Sequence, residues 1–277
     1  MTKVDRAVDH DLETPIHVLQ RFGIEVVEAD TAAATVTMSM SLAGMRNPFT
    51  DQPSVGPLGV LIDSVGGMAN HFLREAGEWT VSSELTVELS PAGSAHATAP
   101  GAPPVLAVGQ VVGPRGRTSL SFCTLTCGDT VIGGGSVRSF FITPDDLALS
   151  ERKETSAKTA RTSLADLMAV QTTAASEGLC VLRQHPDPYL DNAIGVVHGG
   201  VAAAGLELVA SAVINTALPP MRTASVRVNF LRPFFAGERS RYEASPVRIG
   251  GTTAVADAQA INDDGRAALT ARITAYR

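Results

Sequence analysis

Residues 192–215 read Asn192-Ala-Ile-Gly-Val-Val-His198-Gly199-Gly200-Val-Ala-Ala-Ala-Gly-Leu-Glu207-Leu-Val-Ala-Ser-Ala-Val-Ile-Asn215. From Gly199 onward this is a helix-length run of small apolar residues with one ionisable side chain, Glu207. A carboxylate in such a stretch is costly to bury and is kept by a partner or by a task. The His-Gly-Gly that opens the run, nine residues before the carboxylate (207 − 198 = 9), points to a task.

The pattern extends outward. Thr223-Ala-Ser-Val-Arg-Val-Asn-Phe-Leu-Arg-Pro233 reads as a strand ending in proline, and Val247-Arg-Ile-Gly-Gly-Thr252 leads into another. A turn at Asp263-Asp264-Gly265 precedes a last strand to Tyr276. The first half repeats this plan in weaker form. Gly56-Pro-Leu-Gly-Val-Leu-Ile-Asp63 aligns with Gly200 to Glu207, because 63 − 56 = 207 − 200 = 7. Asp63 is the only carboxylate between Asp51 and Glu75. Val81 to Pro91 alternates Leu85, Val87 and Leu89 with polar residues, as a half-buried strand should. It ends in Ser-Pro where the second half ends in Arg-Pro. Gly116-Arg-Thr118 and the turn at Gly128-Asp129 match their later counterparts. A period of about 140 residues is too long for a solenoid and indicates a duplicated domain.

The layout expected from these signals is a short amphipathic helix Leu12–Arg21, strands Gly23–Ala29 and Ala33–Met40, the Asn47 loop, and a central helix Pro57–Glu75. Proline suits a first helical turn. Strands follow to Ile142. Ser163-Leu-Ala-Asp166 has capping-box spacing and opens a short helix mirroring the first. The expected units are residues 1–145 and 163–277, joined by a linker at 146–162.

Composition fits two filled cores: 277 residues, 44% hydrophobic and 18% charged. A net charge of −6 without a basic run argues against nucleic acid as a partner. No run reads as a membrane span, and the charged N-terminus lacks an apolar signal core. Three cysteines, an odd number, favour a reducing compartment, so a cytoplasmic location is expected. Cys123 and Cys127 lie four apart with Cys180 elsewhere and no paired histidine, so no metal site is expected.

The spaced Asn, His-Gly-Gly, acid and strand-ending proline of residues 163–277 resemble the thioesterase branch of the hotdog superfamily, which includes phenylacetate-pathway and acyl-CoA thioesterases. The resemblance implies an α+β fold of two tandem hotdog domains, each a long central helix wrapped by an antiparallel sheet, paired as a pseudo-dimer. It implies hydrolysis of an acyl-CoA thioester at composite sites between the halves. One site would join Asn192, His198 and the Gly199 N–H to Asp63, with Val81, Ser82 or Ser83 nearby. The other would join Asn47 and the Val55 or Gly56 N–H to Glu207 and Thr223, with Ser54 or Val55 where the first site has His198. Pro57 there removes a donor. Arg115, Arg117 and Arg248, with Arg232, are candidate clamps for coenzyme A phosphates. Acyl-CoA is the implied substrate, coenzyme A enters only as part of it, and no separate cofactor is implied. A homodimer of double-hotdog chains is compatible with the pattern.

The chemistry is physically sound. A helix N-terminal N–H, aided by the helix dipole, can polarise a thioester carbonyl and hold its oxyanion. A facing carboxylate can act as nucleophile or as base toward water, and the residues alone do not choose. A structural reading stands beside each role. The acids could be satisfied by local hydrogen bonds, His198 and Asn47 could hold loops, Thr223 could be a simple strand residue, and the arginines could be merely solvated. Two other functions also remain at this stage: hydratase or dehydratase chemistry on acyl-CoA, and a non-catalytic acyl or CoA-binding module.

Overall fold

A computed structural model of the chain describes residues 16–143, 163–176, 178–192, 194–215 and 220–277. The expected linker at 146–162 and the start of the first expected helix lie outside the described residues. In the first half the elements are α1 (Ile16–Phe22), β1 (Glu25–Asp30), β2 (Thr35–Met40), α2 (Leu58–His71), β3 (Trp79–Leu89), α3 (Pro91–Ala97), β4 (Val105–Val111), β5 (Thr118–Cys127) and β6 (Thr130–Ile142). The second half has α4 (Leu164–Leu167), β7 (Val170–Ser176), β8 (Leu179–Gln184), a 3-10 turn (Pro188–Leu190), α5 (Gly199–Ile214), β9 (Arg222–Phe230), β10 (Arg241–Ile249), β11 (Thr253–Ile261) and β12 (Ala267–Tyr276).

The strands form one antiparallel sheet in the order β1-β2-β4-β5-β6-β3-β9-β12-β11-β10-β8-β7. Read from its centre, each half of the sheet repeats the other. The join is β3 on β9, with Leu85 opposite Val228 and Val87 opposite Val226. These four side chains are buried on the inner face, while Glu88 and Arg227 pair on the outer one. Strand β2 shows the same alternation, burying every second residue.

Both central helices lie against this sheet and against each other. Apart from Glu207 and Ser211, helix α5 is apolar all round because sheet and α2 enclose it, and its residues from Gly200 to Ala210 are all buried. Glycines set the crossing. A Cβ on Gly200 would lie 2.5 Å from Val60 Cα and 2.7 Å from the Gly59 oxygen, and one on Gly59 would lie 3.3 Å from Ala203 Cβ. Backbones can approach this closely only without those side chains. Gly56 lies beside Ala204 and Glu207, whereas Asp63 lies beside Gly200, so the helices run antiparallel. One apolar core, running from Val18 to Ala275, spans both halves.

Three details depart from the expected layout. Helix α2 ends at His71 rather than Glu75, and β3 begins two residues early at Trp79. Ser90-Pro91 not only ends a strand but starts α3: the Ser90 side chain accepts a hydrogen bond from Gly93 N–H, and proline occupies the first turn. The matching Arg232-Pro233 segment is irregular. At the second unit's start, Ser163 caps α4 through Asp166 N–H. Among the described residues no helix is long and apolar enough to cross a membrane.

Candidate active site

Asp63 sits on α2 one turn beyond Gly59, where the helix faces the N-terminus of α5. Its Oδ2 accepts the Gly200 N–H at 2.7 Å and lies 3.4 Å from His198 Nδ1. Its Oδ1 accepts the Ser82 hydroxyl at 2.8 Å. The single Gly200 hydrogen is shared with His198 Nδ1 at 3.2 Å, and the shorter, charge-assisted contact to the carboxylate dominates. A carboxylate at the N-terminus of a helix is also favoured by the helix dipole. His198 is buried, which pushes its pKa below the usual 6.5 while the Asp63 charge opposes the shift.

The other half repeats this arrangement with different residues. Glu207 Oε1 accepts the Thr223 hydroxyl at 2.6 Å, and Oε2 accepts the Ser54 hydroxyl at 3.1 Å. Ser54 Oγ accepts the Gly56 N–H at 3.0 Å, as His198 does for Gly200. Thus Ser54, not Val55, stands where the second half has His198. A Cβ on Gly56 would come within 2.8 Å of Glu207 Oε2, so the glycine makes room for the carboxylate. Burial raises the Glu207 pKa, and the Thr223, Ser54, Ser211 and Gly56 hydrogen bonds pull it back. Asn47 does not reach the carboxylate. Its amide donates to the Leu208 oxygen and Ser211 Oγ, and its oxygen accepts the Phe49 N–H, tying the loop to α5.

The two carboxylates differ in access. A cavity of about 450 Å³ opens on Asp63, Ser82, Asn192, His198 and Gly199. None of Asn47, Ser54, Gly56, Glu207, Ser211 or Thr223 lines it. Its wall includes the start of β3, Trp79 to Ser83, and the segment Phe230 to Phe234. In the first half α3 takes the place of that irregular segment and packs against β9, the strand that carries Thr223. Gly199 offers an N–H with no hydrogen-bond partner among the described residues, and a Cβ there would lie 2.8 Å from Asp63 Oδ2. The donor that meets the carboxylate is therefore Gly200, while Gly199 faces the cavity.

Asn192 lines the cavity, but its side-chain oxygen accepts the Ile194 and Val196 N–H groups and so shapes the loop leading to His198. Arg115, Arg117 and Arg248 are exposed and lie outside the cavity wall. Arg115 is held by Glu75 and Glu78 and stacks on Phe141. Arg232 does line the cavity. His71, Trp79 and Thr80, also in the wall, were not singled out from sequence. The signal for His71 was present: it stands two helical turns beyond Asp63 on the same face.

Residues 194–269 match the model of a family described as the Thioesterase superfamily. Comparison with curated proteins gives no match. Among solved structures, the chain is similar to the tesB protein of Mycobacterium avium subspecies paratuberculosis, with a TM-score of 0.61 and 11% identity over 95% of this chain and 99% of that one. It is also similar to the acyl-CoA thioesterase II TesB2 of Mycobacterium marinum, with a TM-score of 0.56 and 13% identity over 94% and 96%. The chain thus has the double-hotdog fold of these proteins along nearly its whole length, and its residues 194–269 carry the sequence pattern of the Thioesterase superfamily.

Proposed function

We propose that the chain is an acyl-CoA thioester hydrolase, a covalent pseudo-dimer of two hotdog units with one working site at Asp63. The observation that carries this reading is the cavity, which exposes Asp63 together with the free Gly199 N–H and reaches none of the groups around Glu207. The thioester carbonyl oxygen sits at the Gly199 N–H, where the α5 dipole adds to its polarisation. Asp63 faces the carbonyl carbon, as base toward a water or as the attacking group itself. In the base route the water's proton goes to Asp63 and its oxygen to the carbonyl carbon. The oxyanion then collapses, the C–S bond breaks, and the coenzyme A sulfur takes the proton, leaving free acid and thiol. Ser82 and Gly200 fix the two carboxylate oxygens, and His198 and Asn192 hold the loop that brings Gly199 into place. Glu207, Thr223 and Asn47 are in this reading structural: a closed relic of the same site.

The geometry favours hydrolysis over hydration of an acyl chain. Asp63, the one carboxylate in the cavity wall among the described residues, faces the carbonyl-binding N–H, and the buried His198 ring is taken up by Asp63 and Gly200. Free-thiol release from a panel of acyl-CoA esters tests the proposal. Asp63→Asn is expected to lower kcat by at least about 10²-fold, whereas Glu207→Gln retains most of the activity. Equal losses in the two variants would mean two working sites. Wild-type binding of acyl-CoA without thiol release would support the binding module instead.

A further inference from the structure

The cavity continues well past the carboxylate. Its α2 wall is made of Asp63, Ser64, Gly67, Met68 and His71, one face of the helix. At 1.5 Å per residue it runs roughly 12 Å from Asp63 to the end of the helix. Two features mark this stretch. A Cβ on Gly67 would meet no atom within 4 Å, whereas one on the adjacent Gly66 would strike Ser121 and Val137. Gly67 is therefore an indentation in the cavity wall, not a packing necessity. The far end carries a polar pair. His71 Nδ1 shares a hydrogen bond with Thr80 Oγ1 at 2.8 Å, and its ring stands edge-on to Trp79 with centroids 4.8 Å apart. Nε2 has no hydrogen-bond partner among the described residues. Burial holds the ring neutral, with its pKa lowered to about 4. A neutral imidazole tied at Nδ1 offers Nε2 as donor or acceptor, according to the tautomer.

The lining decides which part of the substrate goes there. Around His71 the wall includes Met68, Trp79 and Ile142, apolar side chains suited to an acyl chain, and the charges just beyond balance, Arg74 and Arg115 against Glu75 and Glu78. Arg232, the one arginine or lysine of the wall among the described residues, suits the phosphates of coenzyme A. Coenzyme A therefore leaves past Arg232, and the acyl group points toward His71.

We propose, on the reading of Asp63 as the reactive site, that Gly67 and the His71–Thr80 pair form an acyl-end subsite selecting acyl groups with a hydrogen-bonding oxygen at their distal end. An extended chain advances roughly 1.2 Å per bond, as the three-bond residue of an extended backbone does, so about ten bonds span the distance. Thiol release is to be compared for decanoyl-CoA, 10-hydroxydecanoyl-CoA and butyryl-CoA. The hydroxylated ester is expected to exceed decanoyl-CoA in kcat/KM by up to about tenfold, the value of one neutral hydrogen bond. His71→Phe, or Thr80→Val should that variant not fold, should erase this preference. Gly67→Leu should fill the indentation and shift the ratio of kcat/KM from the ten-carbon esters toward butyryl-CoA. Hydrolysis with no preference for the hydroxyl and no shift in any variant overturns the subsite and leaves the hydrolase reading intact. Absence of turnover with every ester overturns both.

Discussion

At His71, burial and the Arg74 guanidinium push the ring's pKa from its usual 6.5 to about 4. The unfolded chain takes up that proton near pH 6.5 and the folded one only near 4, so the stability contribution is full above 6.5 and is lost as pH falls toward 4. The shift corresponds to about 3 kcal/mol. The urea midpoint should drop across that window, and His71→Gln should flatten that part of the curve. Glu207 has the opposite sign, because burial raises its pKa. Its folded carboxyl binds a proton more readily than the unfolded one, so its contribution is present below 4.5 and lost as pH rises through the folded value. Glu207→Gln should therefore raise the midpoint at neutral pH, since the Ser54 and Thr223 hydroxyls can turn to accept from an amide. Both carboxylates were visible in the sequence because each is alone in an apolar run. Their partners were less so. Ser82 and Ser83 are equivalent in sequence, and only the direction of each side chain out of β3 shows that Ser82 reaches Asp63.

Among the elements, α1 is short but connects the halves. Its Arg21 pairs with Asp187 at 2.7 Å, both side chains nearly buried, donates to the Leu167 oxygen and lies over the Tyr189 ring. Asp187 opens the 3-10 turn whose Leu190 oxygen accepts the His198 N–H at 2.8 Å. Arg21→Ala takes away the cation beside the buried Asp187 carboxylate, which keeps the Tyr189 N–H, and a loss of about 3 kcal/mol is expected. Adding Asp187→Ala should recover part of it, a coupling measured by a double-mutant cycle. Thiol release from acyl-CoA should fall in the single variant if the proposed function holds, because the loop that carries Gly199 hangs from this turn. No charge pattern in the sequence joins Arg21 to Asp187 across 166 residues. The repeat was legible because its spacings are local. Helix α3 was not legible although Ser90 and Pro91 form a proper helix start, because Pro-Ala-Gly-Ser-Ala-His-Ala carries no apolar periodicity.

For the whole molecule, the duplication makes a single core of two halves, and the α2–α5 crossing is where both depend on one contact. The sequence repeat aligned Gly56 with Gly200; the Gly200 N–H meets the carboxylate of the opposite half directly, and the Gly56 N–H does so through Ser54 Oγ. What no repeat could show is that Asp63 opens on the cavity while Glu207, 2% exposed, does not line it. The crossing makes different demands on its glycines. At Gly200 an added Cβ would lie 2.5 Å from Val60 Cα, 2.7 Å from the Gly59 oxygen and 3.0 Å from Asp63 Cβ, mostly backbone that cannot turn aside. Gly200→Ala must separate the helices and with them lengthen the Asp63–Gly200 hydrogen bond. Stability and turnover should fall together, by about 1–3 kcal/mol as for other overpacked cores. Gly67→Ala lies on the same helix face as Asp63 but meets empty space, so it should gain the helix propensity of alanine, about 1 kcal/mol. Thermal unfolding and thiol release measured on both variants separate the cases. A Gly200→Ala protein with normal Tm and normal turnover would show that the close helix crossing is not what holds Asp63 against α5.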